Sequence, residues 1–142
     1  MSLATVKGDK PWVTEVHFVY DDDLNIYWRS FDTRRHSQEI NANPHVAGNI
    51  VKQCVLGEPC PGAVYFEGTA EKVDDLALQQ AILPKFVSRV GASDKAIEEA
   101  AAPEGNKFYK ISVSNWAVFG NVDGSGFNKY EIAWQAGKNN ES

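Results

Sequence analysis

Short runs of β-branched and aromatic residues, each closed by turn-forming residues, recur along this chain and constrain its fold more than any other feature. Leu3–Val6 comes first and is closed by Gly8-Asp9 and then Pro11. Val13–Tyr20 follows and stops at the acidic turn Asp21-Asp22-Asp23, after which Asn25–Ser30 forms the next run. Runs bounded in this way read as strands, and strands close in sequence pair most simply as antiparallel neighbours. Val13–Tyr20 and Asn25–Ser30 are therefore expected to make a hairpin. Val46–Val51, Ala63–Val73, Lys107–Val113 and Phe127–Trp134 complete the set, with Gly68 expected at a bulge or a point of close packing.

Helical patterning occupies the rest. Thr33 opens a stretch containing Gln38, Ile40 and Ala42, which Asn43-Pro44 should end, because proline disfavours helical geometry in the residue before it. Asp74 and Asp75 suit the start of a helix from Leu76, which Pro84 is expected to kink or restart. Ser93–Ala102 is a further helical segment, with Ser93 or Asp94 as its cap. This order suits a mainly β architecture, a closed antiparallel barrel with α-helices packed outside it. A chain of 142 residues suits one domain. That domain is expected over residues 1–137, with a disordered polar tail at 138–142.

Charge and hydropathy exclude several classes of function. A net charge of -5 argues against nucleic-acid binding, which needs clustered Lys and Arg. No apolar run approaches the roughly 20 residues of a membrane-spanning helix, and no basic segment leads into an apolar one at the start. The chain reads as cytoplasmic, with no membrane partner expected. Cys54 and Cys60 stand too far apart for a zinc-type Cys-x-x-Cys pair and read most simply as two thiols in a reduced compartment, with a reversible disulfide across the loop as the alternative. His17, His36 and His45 show no metal-site spacing, so no metal is expected. Gly124-Ser125-Gly126 lacks the context of a nucleophile elbow, and no phosphate-binding glycine loop is present.

One cluster does carry chemistry. Arg34-Arg35-His36 follows a strand and begins a helix, where free backbone amides attract anions. Two guanidinium groups, an imidazole and the hydroxyls of Ser30 and Thr33 would make a phosphate pocket. A solvated basic turn is the competing reading. Basic residues at a helix start oppose its dipole unless an anion compensates, so the residues alone leave both readings open.

Leu3-Ala4-Thr5-Val6, Pro11, Tyr27-Trp28-Arg29-Ser30, Arg35-His36 and Asn43-Pro44-His45-Val46-Ala47 occur in an order that resembles the flavin split-barrel family of pyridoxamine 5′-phosphate oxidase. Phe66-Glu67-Gly68-Thr69-Ala70 is similar to the family's next strand, and the later Trp116…Gly126-Phe127…Lys129…Trp134 is closer to its small members. The resemblance implies a six- to seven-stranded antiparallel split barrel that binds flavin mononucleotide (FMN). It assigns Ser30, Arg35 and His36 to the flavin phosphate, and the backbone of Thr14, Glu15 and Val16 to the isoalloxazine ring. It also implies a homodimer with flavin sites between protomers, and an oxidoreductase acting on an unidentified small molecule. A flavin carrier without turnover, or a relative binding haem or a deazaflavin, are the alternatives. Thr14 and Val19 stand where the oxidase places an arginine and a lysine, which weakens any expectation of pyridoxal phosphate chemistry.

Overall fold

The computed structural model describes residues 1–59 and 61–137. The expected disorder of the tail and any role for Cys60 lie outside the described residues. Eight strands and three helices run in the order β1 (Ser2–Lys7), β2 (Lys10–Glu15), β3 (Val19–Tyr20), β4 (Ile26–Ser30), α1 (Arg35–Ala42), β5 (His45–Val51), β6 (Ala63–Lys72), α2 (Leu76–Val90), α3 (Ala96–Ala101), β7 (Lys107–Gly120) and β8 (Asn128–Ala133). All pairings are antiparallel, in the sheet order β2-β1-β5-β6-β7-β4-β3, with β8 also on β7. The architecture is mainly β and of split-barrel type. It differs from expectation in having eight strands and in leaving the sheet unclosed, because β2 and β3 end the path without pairing with each other.

Local chemistry accounts for the turns. β1 and β2 pair through Lys7 and Lys10, so only Gly8 and Asp9 form the loop, and Gly8 takes the positive φ of 60° that such tight hairpins demand. Asp75 caps α2 by accepting from the amides of Ala77 and Leu78 at 2.8 and 3.2 Å. Pro84 lies inside α2 without ending it. Ile82 and Phe86, on either side of it, are both buried, and their packing offsets the lost backbone bond.

The expected strand Val13–Tyr20 is two strands. β2 pairs with β1, and only Val19 and Tyr20 pair with β4. Residues 16–18 between them carry the chain across the gap between the two ends of the sheet, and the Val16 amide donates to the Met1 carbonyl at 3.0 Å. No glycine or proline marks this crossing, so a continuous β-rich run hides it. β7 likewise continues past Val113 to Gly120. Opposite Glu67 and Gly68 the register shifts, leaving Ser114 as an extra residue, so the bulge interrupts the alternation without ending the strand. Gly68 belongs to that bulge: a Cβ there would lie 2.3 Å from the Ser112 carbonyl oxygen. α3 starts later than expected, at Ala96 with Lys95 before it, and neither Ser93 nor Asp94 caps it.

Alternation along the strands builds two cores. Ile26 and Trp28 of β4 enter the barrel with Leu3, Phe66, Tyr109 and Ile111. Tyr27, on the opposite face, packs with Phe108 of β7 against Ile82, Phe86, Ala96 and Ala100 of the helices. Both faces of β4 are covered, so Ile26, Tyr27 and Trp28 are successive buried apolar residues rather than an alternating pattern.

Candidate functional site

β4 ends at Ser30, and a short turn joins it to α1. The turn is closed by the Arg34 amide donating to the Phe31 carbonyl at 3.1 Å. Arg34 is the N-cap residue, extended at φ -70° and ψ 145°; no side chain caps the helix, and its first turn has no acidic residue. The helix N-terminus thus keeps its partial positive charge and backbone donors facing outward. β2 forms the opposite wall. Between them is an open cleft of about 630 Å³, within the usual range for small-molecule sites.

Thr14, Glu15, Val16, Ser30, Arg35 and His36 all line this cleft. Glu15 is exposed and accepts a short hydrogen bond from the Ser2 hydroxyl. His36 is 7% exposed, and its Nε2 lies 2.8 Å from Ser30 Oγ. Burial, then the nearby Arg34 charge, lowers the His36 pKa from its ordinary value, against an opposing pull from Glu39. The folded chain therefore binds fewer protons than the unfolded chain in the window below about pH 6.5. Stability contributed by neutral His36 is complete above that value and is lost as pH falls through the folded pKa. Thermal melts between about pH 7.5 and 5.5 are expected to show this loss, and His36→Gln to flatten it. An unchanged slope in the variant would assign the loss to other groups.

Glu39 is the residue that reading the sequence did not find. It is 3% exposed and sits one helical turn after Arg35, whose Nε donates to its Oε1 at 2.7 Å. Thr5 of β1 donates to the other carboxylate oxygen at 2.5 Å. These two hydrogen bonds hold the Glu39 carboxyl below its ordinary pKa. The guanidinium of Arg35 also stacks on Trp12 of β2, 4.2 Å from the ring centroid. Arg35 is thereby oriented from two sides at the cleft edge. The i, i+4 spacing of Arg35 and Glu39 was the available signal for the first contact. Alternation along β2, which puts Trp12 and Thr14 on one face, was the signal for the second. Arg29, Phe86, Val90 and Asn106 form the inner wall, and no local pattern announces them. Among the described residues no group of three or more His, Cys, Asp or Glu side chains could hold a metal ion. No helix among the described residues is long and apolar enough to cross a membrane.

Comparison with known proteins agrees with this architecture. No curated protein matches the chain by sequence. A pyridoxamine 5′-phosphate oxidase-like protein of Listeria innocua superposes with a TM-score of 0.62 at 20% identity, over 82% of this chain and 85% of that one. The haem storage protein HutZ of Vibrio cholerae gives 0.64 at 16% identity, over 96% and 86%. An FAD-binding protein of Mesorhizobium loti gives 0.58 at 19% identity, over 81% and 80%. At these identities the likeness establishes the fold alone. The sequence model of pyridoxamine 5′-phosphate oxidase matches residues 1–119, and the chain belongs to that family.

Proposed function

We propose that the cleft binds flavin mononucleotide and that the protein is a flavin-dependent oxidoreductase acting on a small molecule. The observation that carries this reading is an uncapped α1 N-terminus with Arg35 and His36 beside it, open to a cleft walled by β2. A terminal phosphate would meet the helix amides, the Arg35 guanidinium and the Ser30–His36 pair. The isoalloxazine ring would lie along Thr14, Glu15 and Val16, where backbone groups can contact it whatever the side chains. When bound, the flavin supplies the electron and hydride transfer. The chain binds and orients it, and Phe86, Val90 and Ala92 keep water from the inner wall. Glu39 contributes by fixing Arg35.

A homodimer belongs to this proposal. Tyr65 and Phe119, 42% and 41% exposed, stand beside Ala47 and Ala117 in a shallow groove of about 420 Å³. Exposed aromatic rings over small residues suit burial against a second copy of the chain. Haem is the alternative cofactor, but engagement of His36 Nε2 by Ser30 weighs against iron ligation at that nitrogen.

Titration with flavin mononucleotide, followed by flavin fluorescence and visible absorbance, tests the reading. Saturable binding is expected, with bleaching by reduced nicotinamide and recovery in air. Absence of binding would overturn it, and a Soret band on adding hemin would favour haem. Binding without bleaching by any donor would leave a flavin carrier.

A further inference from the structure

We propose that the open end of the barrel lumen is a second binding site, for a small amphipathic acid with an apolar body and one anionic group. Phe18, Tyr20, Ile50, Val64, Trp116 and Ile132 bound a cavity of about 430 Å³ there. The middle of the lumen is filled by Leu3, Trp28 and Tyr109, each fully buried, whereas among the described residues this end has no such plug. Ile132 and Tyr20 remain 48% and 46% exposed. Apolar side chains converging on unfilled space favour an apolar guest over water.

Arg89 gives this apolar cavity a chemical preference. Arg89 of α2 lies at its rim, its guanidinium carbon 5.0 Å from the Phe18 ring centroid and 5.7 Å from that of Tyr20. No ion pair to Arg89 occurs among the described residues. In the acidic turn after Tyr20, Asp21 accepts from Asn25 and Tyr27, and Asp22 lies 3.6 Å from Lys85. A cation stacked on aromatic rings beside an apolar cavity selects a guest that is apolar at one end and anionic at the other.

The site is separate from the cleft and does not depend on what the cleft holds. Its test is a pair of titrations, with decanoate and with its neutral analogue decanol, followed by tryptophan fluorescence and calorimetry. Decanoate is expected to bind at one molecule per chain. Arg89→Gln should weaken decanoate about tenfold, the loss of one hydrogen bond to a charged group, and leave decanol unchanged. Val118→Phe, which adds volume inside the cavity, should reduce both. Failure of both ligands to bind the unaltered protein would overturn the proposal. So would equal loss of both ligands in the Arg89 variant, or binding that Val118→Phe leaves intact.

Discussion

Replacing Arg35 and His36 together by alanine is expected to weaken flavin mononucleotide binding by about two to four orders of magnitude. A hydrogen bond to a charged group contributes about 1.5–3 kcal/mol, so two lost together cost about 3–6 kcal/mol, and each 1.4 kcal/mol is a factor of ten. Riboflavin, which lacks the phosphate, provides the control. Its affinity should be lower in the unaltered protein and nearly the same in the double variant. Equal loss for both flavins would show that the substitutions damage the cleft as a whole. Undiminished flavin mononucleotide binding would make Arg34-Arg35-His36 the solvated basic turn. Circular dichroism must accompany the titration, because removing Arg35 leaves the buried Glu39 carboxylate with Thr5 as its remaining hydrogen-bond partner.

The largest expected effect on stability belongs to Trp28→Ala. Trp28 is fully buried and stacks on its cross-strand partner Tyr109 with centroids 5.1 Å apart and planes 18° from parallel. Truncating such a side chain costs about 3–5 kcal/mol, a large share of the 5–15 kcal/mol that holds a typical domain folded. For a chain of this size that corresponds to a fall of roughly 10–20 °C in melting temperature. Calorimetry checks it. A fall of only a few degrees would mean that the barrel collapses around the gap. The Trp28 indole N–H is buried without a partner, so Trp28→Phe removes that unsatisfied donor and should cost much less than alanine.

The sequence exposed the parts of this fold that depend on neighbours along the chain. Asp75 announced α2, Asn43-Pro44 the end of α1, and Gly8-Asp9 the turn that closes β1. Features set by distant partners were hidden. The crossing at residues 16–18 is a property of where β2 and β3 sit in the sheet, and nothing in Val16, His17 or Phe18 marks it. The bulge at Ser114 broke the alternation by which β7 could be followed, so its second half escaped notice. The candidate site divides in the same way. Ser30, Arg35 and His36 were readable because strand, turn and helix start are consecutive in sequence. The Thr5–Glu39 contact joins residues 34 apart, and Arg29 lines the cleft while also bonding Ala96 and Glu99 of α3, a placement set by the helices and not by its sequence neighbours.

β7 partitions motion within the molecule. One of its edges is held along its length by β6, while the other passes from β4, at residues 107–111, to β8, at residues 115–120. The first half is clamped between the lumen and the helices, and the second carries an outermost strand of largely exposed residues. The Trp134 indole N–H just after β8 donates to the Asp23 carbonyl of the β3–β4 turn at 2.9 Å, so it is the Asn128 end of β8 that can breathe without disturbing the register of β4, the strand that delivers Ser30 to the cleft. One end of the barrel is free to adapt its shape while the other keeps fixed geometry.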